Sequence, residues 1–596
     1  MTELLSALCE ATKAAGHSAE LAFDEFPRDH DERTFVVIPH EFQAWGGTWP
    51  SLSQRERTIA LCTENAGTEW FEATYEVVSQ FAIAVSINRA SAAELRRRDI
   101  RCEHLQLGYS PHWDRWGGNE SIARAIDVLY MGAADPRRNP LLASVGRELG
   151  EWNSQFLVPP LEPRTSPRPD FLLGDQKYDR LRSARILLNL HRTTSSALEW
   201  LRFLEAICNG CVVVSEPCRD GEPLVANQHY VAVEVGAMAS EVSGLLEEPE
   251  RLRDIRQRSY EFVRKELAMT PRAPDRLREL ALELPLRPSA SSPLSPITSR
   301  SLTPRATLPR AEKERIEAPA PPFAPRPSAA ERIDLVGRAP RSLVRRLVGR
   351  IPAPTLHRTP AHARVKPRVS VLCVPSPDSG PLLTDALETV AASRYAHLEL
   401  VLTARSQHDA CLRDFLDRHS QLPALLMRRR QGHGVGELLN ALVGHARGEY
   451  LFVLHPDGSI HRSALDRLVD TLDASPDAMF AFPMVGLFEG DRSVELLGSV
   501  PWEPERLKLG NWIDGMSLLR RSSLVRLGCF STDPRFAGWE AFDLWCRCAR
   551  AQEHGVHVPQ VLAWRQRTTE LDETGKWAAM RDRYPELFDA SDAVNA

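Results

Sequence analysis

The segment Ala446-Arg-Gly-Glu-Tyr-Leu-Phe-Val-Leu-His-Pro-Asp-Gly458 joins a short apolar run to a polar turn. The apolar run, 450–454, is continuous, which is typical of a strand buried on both faces of a parallel sheet. His455 and Asp457 follow it directly. Because ligands of open α/β sheets bind outside the carboxyl ends of the strands, the segment predicts a strand that carries an imidazole and a carboxylate to a ligand site.

Short apolar runs of the same kind recur along the chain, separated by helix-like stretches. In the second half they lie at 369–374, 398–402, 449–454 and 479–482. In the first half they lie at 34–39, 58–62, 81–87 and 102–107, and the pattern restarts at 127–132, 155–158, 186–190 and 211–215. This alternation predicts βαβ units and an α/β fold. We expect two Rossmann-like subdomains in series, with a cleft between them, and then one further α/β sheet.

A stretch rich in Pro, Ser, Ala and Arg separates the two halves. Proline removes backbone donors, and too few apolar side chains occur here to offset the entropy of ordering the chain. We therefore predict a module at 1–284, with subdomains at 1–125 and 126–284, a disordered linker at 285–366, and a module at 367–596. An island at 342–351 places apolar residues beside arginines, and is either a short membrane-surface or partner-binding helix or solvated linker.

The composition is that of a soluble globular protein. Of the 596 residues, 43% are hydrophobic and 26% charged, and the net charge of −5 argues against a nucleic-acid-binding surface over the whole molecule. No apolar stretch approaches the ~20 residues that cross a bilayer, and the first residues do not resemble a secretion signal. We expect a cytoplasmic location, with peripheral contact at the inner membrane face through the basic linker as an alternative.

The eleven cysteines suit thiols in a reducing compartment better than a disulfide framework. Two close pairs, Cys208/Cys211 and Cys546/Cys548, lie within apolar segments. No second pair stands at a zinc-finger spacing, so we expect buried thiols rather than metal or redox sites.

The first module carries a helix-and-strand motif beside polar strand ends. Leu187-Leu-Asn-Leu-His-Arg192 precedes a segment in which Arg202, Glu205, Ala206 and Gly210 form an R-x-x-E-A-x-x-x-G pattern before an apolar strand. This region resembles the donor-binding half of GT-B glycosyltransferases of the group 1 type. The resemblance implies twin Rossmann-like subdomains that bind a nucleotide-diphosphate sugar.

A nucleotide-diphosphate sugar needs cations around its phosphates and an acceptor for its ribose hydroxyls. On the resemblance, the donor-binding residues are Arg137, His191, Arg192, Arg202 and Glu205, with the last accepting from the ribose. The alternative is that Glu205 pairs with a neighbour on its own helix and that the arginines are solvated.

The second module resembles glycosyltransferase family 2, the inverting GT-A type. The resemblance rests on the segment quoted first, on Leu439-Asn-Ala-Leu442 and on Gly538-Trp-Glu-Ala-Phe-Asp-Leu-Trp-Cys-Arg547. It implies that His455 and Asp457 take the place of the metal-binding D-x-D and hold Mn²⁺ or Mg²⁺ against the diphosphate. It also places Asn440 in the donor site. The alternative is that Asp457 only ends a strand in a turn.

An inverting transfer needs a base to take the proton of the acceptor hydroxyl. The family's usual base falls at Ala541, which cannot take a proton, so Glu540 and Asp543 beside it are the candidate catalytic residues. Other departures are Thr403-Ala404 in place of an Asp pair, and Ala197 in place of a glutamate of the first module.

The sequence therefore predicts a glycosyltransferase that moves a sugar from a nucleotide-diphosphate donor to a glycan, lipid or protein acceptor, in cell-surface polysaccharide or glycoconjugate synthesis. The departures leave open a second interpretation, a non-catalytic scaffold or glycan-binding protein with the same folds. A nucleotide-dependent dehydrogenase is disfavoured because no G-x-G-x-x-G follows a strand.

Limited proteolysis of the intact protein tests the proposed division. We expect the first cuts within 290–360, giving two pieces that each retain a cooperative unfolding transition, because few contacts cross a Pro-rich linker. Mass spectrometry of the early fragments locates the cuts. First cuts inside 180–215 or 440–460 would contradict the division.

Overall fold

A computed structural model describes residues 2–22, 26, 33–39, 49–161, 167–193, 197–284, 356–359, 361–362, 368–376, 380–404, 409–428, 433–567 and 573–588. Most of the predicted linker, and the island at 342–351, lie outside these residues. Contacts between Cα atoms divide the chain into two compact units, Met1–Arg138 with Leu157–Glu312, and Asn139–Phe156 with Lys313–Ala596.

The first sheet is parallel and has the order β1-β2-β3-β4. Its strands are β1 (Phe35–Val37), β2 (Thr58–Cys62), β3 (Ile83–Ser86) and β4 (Cys102–His104). The helices of this region are α1 (Thr2–Ala14), α2 (Leu52–Glu56), α3 (Glu69–Val78) and α4 (Arg89–Arg97). β2 and β3 are buried along their whole length, as their continuous apolar runs predict.

The second sheet has the order β6-β5-β7-β8-β9. Its strands are β5 (Ile126–Met131), β6 (Ser154–Leu157), β7 (Ala184–Asn189), β8 (Val212–Ser215) and β9 (Val231–Ala232), and β5, β7, β8 and β9 run parallel. Its helices are α5 (Arg138–Glu148), α6 (Gly174–Arg182), α7 (Trp200–Cys208), α8 (Val235–Glu247), α9 (Pro249–Glu266) and α10 (Arg272–Leu282). Two parallel sheets in series confirm the predicted Rossmann-like arrangement of the first module.

The glycine of the R-x-x-E-A-x-x-x-G pattern has a backbone reason. Gly210 lies between α7 and β8 with a φ of +72°, in the left-handed region. A Cβ there would stand 2.7 Å from the indole of Trp116. Only glycine meets both conditions, so it allows the chain to turn tightly from the helix into the buried strand.

The third sheet, which forms the core of the second module, is mixed. Its order is β10-β13-β12-β11-β14-β18-β16-β19-β15, with β17 paired to β16. Its strands are β10 (Leu356–Arg358), β11 (Val369–Cys373), β12 (Leu398–Ala404), β13 (Ala424–Arg428), β14 (Tyr450–Leu454), β15 (Gly458–Ile460), β16 (Ala478–Glu489), β17 (Arg492–Leu497), β18 (Leu518–Arg520) and β19 (His554–Gln566). Strands β11 to β14 pair in parallel, whereas β18 is antiparallel to β14.

Helices flank this sheet at α11 (Gly380–Ala391), α12 (Asp409–Arg418), α13 (Val435–His445), α14 (Ala464–Asp473), α15 (Arg521–Arg526), α16 (Glu540–Arg550) and α17 (Thr574–Arg583). Two short 3₁₀ helices lie at Pro504–Leu509 and Pro534–Phe536. The α/β fold expected of both modules is therefore confirmed.

The end of the predicted linker differs from the expected boundary at 366. Strand β10 pairs antiparallel with β13, so residues 356–358 belong to the third sheet. Nearby, the Nε2 atom of His362 lies 3.1 Å from the carboxylate of Glu399, which is fully buried on β12. Ser370 and Arg447 also donate to Glu399. These partners compensate a buried charge and hold the start of the module against its sheet.

The two cysteine pairs are buried thiols, as predicted. Cys208, Cys211, Cys546 and Cys548 are each buried, and burial raises the pKa of every one of them. In the part of the chain that the structure describes, no helix is long and apolar enough to cross a membrane.

A close backbone approach in the first unit can be tested by substitution. A Cβ on Gly108 would stand 1.7 Å from the carbonyl oxygen of Leu267, to which the amide of Tyr109 donates at 2.8 Å. We expect Gly108→Ala to lower the free energy of unfolding by about 2 kcal/mol or more, because backbone on both sides must shift. Urea unfolding followed by circular dichroism measures the change.

The matched control is Gly236→Ala in α8, where an added Cβ meets nothing within 4 Å. This variant should be neutral or more stable by up to about 1 kcal/mol, because alanine favours helix over glycine. Equal stability of the two variants would contradict the assigned contact at Gly108.

Candidate functional site

The first candidate site lies at the carboxyl edge of the second sheet. Strands β5, β7 and β8 are parallel, so their carboxyl ends meet at one edge. The polar residues that follow them are Arg137 and Arg138 after β5, His191 and Arg192 after β7, and Glu216 after β8. The structure therefore brings together residues that are far apart in the sequence.

Glu216 is the centre of one half of this edge. Arg137 donates to both of its carboxylate oxygens, once at 3.0 Å, and the His191 amide donates to it at 2.6 Å. Arg137 also donates to the His191 carbonyl at 2.6 Å. Burial opposes ionisation of Glu216, but the hydrogen bonds from Arg137 and His191 leave its pKa below the ordinary value. The carboxylate holds the two strand ends together.

Glu199, just before α7, is the centre of the other half. Its carboxylate lies 3.1 Å from both Arg138 and Arg202, and 3.7 Å from the Nδ1 atom of His191. Burial raises the pKa of Glu199, but these three cations outweigh it and lower the pKa to about 2. Arg202 also donates to the Asn189 side chain at 2.9 Å. The carboxylate therefore orients two of the arginines at this edge.

His191 connects the two halves and is almost fully buried, with 2% of its side chain exposed. Its Nε2 atom lies 3.6 Å from the sulfur of Cys218. Burial lowers the pKa of His191, but Cys218 and Glu199 outweigh burial and raise it to about 9. The imidazole is therefore protonated at neutral pH and adds a positive charge at the strand ends.

The remaining predicted residues of this module divide into two groups. Arg192 stands at the same edge, with its guanidinium 5.8 Å from the ring centroid of Trp70. Glu205 instead accepts from Lys177 at 2.6 Å, and Lys177 also lies 3.3 Å from Glu3. This buried ion pair corrects the prediction that Glu205 accepts from a ribose, because its carboxylate is engaged inside the fold by a helix-to-helix contact.

The sequence prediction missed Glu199 and Glu216. Glu199 lies one turn before Arg202, close to the position where the family's second glutamate was expected. Glu216 directly follows the last residue of β8, just as His455 and Asp457 follow the end of β14. A search for acidic residues at strand ends would have found Glu216 without any family pattern.

The second candidate site lies at the end of β14. His455 and Asp457 follow the strand, and their side chains are hydrogen-bonded to each other. Gly458, on β15, pairs with Arg565 on β19. The guanidinium of Arg565 donates at 2.7 Å to Asp514, a buried residue, and Asp457 contributes to the electrostatic field at Arg565. The strand end therefore combines two carboxylates, an imidazole and a guanidinium.

Asp514 was not among the predicted residues. Burial raises its pKa, but Arg565 and the Met516 amide outweigh burial and keep the pKa below the ordinary value. The Met516 amide donates to the Asp514 carboxylate at 2.9 Å, and this hydrogen bond fixes the turn that contains Gly515.

Glu540 is the first residue of α16, whose first turn lies beside Gly515. A Cβ on Gly515 would stand 3.3 Å from the Cβ of Ala541, so the first turn of α16 packs against the turn that carries Asp514. A Cβ on Gly436, in α13, would stand 3.5 Å from the Cγ atom of Glu540. Glu540 has 8% of its surface exposed. Of the two predicted bases, it is the one next in sequence to Ala541, whose Cβ lies beside Gly515.

Two predicted residues of this module have structural roles. Asp543 is fully buried, accepts from Arg547 at 2.9 Å and from Tyr584 at 2.6 Å, and so anchors the C-terminal helix region. Asn440 donates to and accepts from the backbone of Phe530, at 2.9 and 2.8 Å. These contacts correct the assignment of Asp543 as a base and of Asn440 as a donor ligand, because their polar atoms are occupied by the fold.

The predicted Mn²⁺ or Mg²⁺ site has two candidate ligands, the side chains of His455 and Asp457. Among the described residues, no group of three or more His, Cys, Asp or Glu side chains is arranged to hold a metal ion. His455 and Asp457 offer one nitrogen and one hard oxygen at the strand end. A divalent ion would need most of its ligands from a diphosphate and water, which is the usual way in which Mg²⁺ is bound with nucleotides.

Two family models match separate segments of the chain. A model of the family described as glycosyl transferase-like matches residues 137–277, and the model of glycosyl transferase family 2 matches residues 371–527. The two matched segments follow one another along the chain, and each is similar to a glycosyltransferase family. The first contains the edge built on Glu216 and Glu199, and the second contains His455 and Asp457.

One curated relative is an uncharacterized protein, y4gI, of Sinorhizobium fredii, which is 27% identical over 208 residues. That match covers 33% of this chain and 22% of the relative, so the chain spans about a fifth of the relative's length.

Two solved structures are similar to part of this chain. S. aureus TarS in complex with UDP-GlcNAc is 12% identical, with a TM-score of 0.30, over 37% of this chain and 66% of that one. A Pyrobaculum calidifontis mannosyltransferase with GDP-Man and Mn²⁺ is 17% identical, with a TM-score of 0.25, over 41% of this chain and 68% of that one.

The raised pKa of His191 gives the first segment a defined pH dependence. A group whose pKa rises on folding, here from 6.5 to about 9, stabilises the fold below pH 6.5 and loses that contribution as the pH rises through 9. Between these values we expect the free energy of unfolding to fall by up to ~1.4 kcal/mol per pH unit. Urea unfolding at pH 6.5, 7.5, 8.5 and 9.5 measures the slope.

His191→Asn is the control for this slope, since asparagine retains a polar side chain but does not titrate. The variant should be less stable at pH 6.5 and show a flatter dependence up to pH 9. The same slope in both proteins would mean that another group carries the titration.

Proposed function

We propose that this chain is a glycosyltransferase that moves a sugar from a nucleotide-diphosphate donor, and that the transfer takes place at the end of β14. The observation that carries the proposal is the placement of His455 and Asp457 at the carboxyl edge of the parallel strands, with Arg565 and Asp514 beside them. Open α/β sheets bind ligands at this edge.

The charges at this edge suit a diphosphate. Arg565 supplies a guanidinium, which pairs well with phosphate oxygens, and Asp514 holds it in place through a hydrogen bond of 2.7 Å. Asp457 and His455 would hold Mn²⁺ or Mg²⁺ together with the diphosphate. When bound, such an ion neutralises the charge that develops on the leaving group.

Glu540 is the base in this proposal. The acceptor hydroxyl oxygen attacks the anomeric carbon, the bond to the diphosphate oxygen breaks, and Glu540 takes the hydroxyl proton. Ala541 cannot serve, and the carboxylate of Asp543 is taken up by Arg547 and Tyr584. Glu540 lies in the first turn of α16, whose partial positive charge would also favour a donor phosphate nearby.

The first segment is proposed as a second donor-binding site. Arg137, Arg192, Arg202 and His191 place positive charge at one strand edge, which suits the phosphates of a nucleotide sugar. The acceptor is a glycan, a lipid-linked sugar or a protein, in cell-surface polysaccharide or glycoconjugate synthesis. We place this reaction in the cytoplasm, with contact to the inner membrane face through the basic linker.

A non-catalytic scaffold or glycan-binding protein is the second candidate. It is favoured by Ala541 at the family's base position and by the structural contacts of Asp543. Thr403-Ala404 in place of an acidic pair points the same way. Donor binding without product would support this candidate.

Substitution of Asp457 in the full-length chain tests the proposal. We expect Mn²⁺- or Mg²⁺-dependent sugar transfer from one of a panel of nucleotide-diphosphate sugars. Asp457→Ala should lower the rate about 100-fold or more, because the ion and the diphosphate lose their carboxylate ligand. Glu540→Gln should lower kcat about 100-fold with little change in donor affinity, since a base acts on the acceptor.

The matched control is Asp491→Ala, the same change at an exposed residue in the turn between β16 and β17. It should transfer at the rate of the unchanged protein. Normal turnover in Asp457→Ala, with folding intact, would move the chemistry to the first segment. Absence of product with every donor, with binding retained, would favour the scaffold.

A further inference from the structure

The sulfur of Cys218 lies among polar groups at the edge of the second sheet. Cys218 follows β8 by three residues and is partly exposed. Its Sγ atom lies 3.4 Å from the Ser215 hydroxyl, 3.4 Å from the Glu216 carbonyl and 3.6 Å from the Nε2 atom of His191. A thiol, an imidazole and the carboxylate of Glu199 thus stand in sequence, which is the arrangement that activates cysteine nucleophiles.

The environment of Cys218 differs from that of the other cysteines. Nine of the eleven are buried, and burial raises the pKa of Cys62, Cys211 and Cys373 to about 12. Cys411, in α12, is the other partly exposed cysteine. Because thiols react as thiolates, a buried thiol with a raised pKa is inert. Cys218 combines access to solvent with a neighbouring imidazole.

The imidazole of His191 lies between the Glu199 carboxylate and the Cys218 sulfur. The Nδ1 atom of His191 is buried, without a hydrogen-bond partner among the described residues, and faces the Glu199 carboxylate at 3.7 Å. The Nε2 atom faces the sulfur. The charged and titratable groups that face the pair are Glu199, Glu216, Tyr230, Arg137, Arg138 and Arg202.

We propose that Cys218 is a reactive thiol activated by His191, and that its modification by a soft electrophile blocks the nucleotide-sugar site of the first segment. The reactivity rests on the geometry of Cys218 and His191 alone. The blocking rests on the proposed function, because it requires a donor to occupy the edge that holds Arg137 and Glu216.

The modification is a simple displacement. The Cys218 thiol loses its proton to water, the thiolate sulfur attacks the methylene carbon of iodoacetamide, and iodide leaves as the carbon–sulfur bond forms. The imidazolium stabilises the negative charge on sulfur before the attack. The added carbamidomethyl group then stands in the loop that follows Glu216, whose carboxylate accepts from Arg137.

Labelling of the full-length chain tests the thiol. The protein is treated with a small excess of iodoacetamide at pH 7, and mass spectrometry follows the peptides that contain Cys218 and Cys411. We expect Cys218 to react at least about tenfold faster than Cys411, and His191→Asn to slow Cys218 about tenfold without changing Cys411. Equal rates at the two cysteines would overturn the proposal.

A pH series on the unchanged protein covers the case in which His191→Asn does not fold. An imidazolium-paired sulfur should label at a nearly constant rate from pH 6 to 8, whereas an ordinary thiol speeds up about tenfold per pH unit in this range. A tenfold rise per unit at Cys218 would overturn the proposal.

A third arm separates this inference from the proposed function. A nucleotide-diphosphate sugar should slow labelling of Cys218 and not of Cys411, and prior labelling should abolish its binding to the first segment, with Cys218→Ser as the unlabelled reference. Rapid labelling that no donor slows would support the reactive thiol and remove the donor from this edge. Slow labelling with intact donor binding would overturn the proposal of a reactive thiol, and the proposed donor site would stand.

Discussion

The alignment of parallel strands is the constraint on which both candidate sites depend. Parallel strands end at one edge, so the residues that follow β5, β7 and β8 meet although the chain separates them widely. The same geometry places His455 and Asp457 at the edge of the third sheet, where β14 pairs with β11. The strands are buried along nearly their whole length, so polar groups can gather only where they end.

Charge at these edges is held by pairs of opposite sign. Glu216 fixes Arg137, Glu199 fixes Arg138 and Arg202, and Asp514 fixes Arg565. A guanidinium held in one orientation loses little side-chain freedom when it meets a phosphate, which favours binding. In each case the carboxylate orients the arginine, and the guanidinium is the group that suits an anionic ligand.

The two segments differ in what they offer for chemistry. The first gathers arginines and an imidazole with a raised pKa around two carboxylates, an arrangement that suits binding of an anion. The second adds a carboxylate with a hydrogen-bonded imidazole and the glutamate that begins α16. Substitution of the base position by Ala541 is compatible with transfer only if Glu540 reaches the acceptor. The proposed reaction therefore depends on Glu540 in the first turn of α16.

The sequence by itself determined the fold class and the strand positions, because continuous apolar runs between helical stretches leave few alternatives to buried parallel strands. It also pointed to Arg137, His191, Arg202, His455 and Asp457, which follow or face strand ends. Only the tertiary structure decided which charges are already paired. Glu205, Asn440 and Asp543 match family patterns, but Lys177, the Phe530 backbone and Arg547 occupy their polar atoms. The partners of Glu205 and Asn440 lie on other elements, 28 and 90 residues away, and are invisible to local pattern.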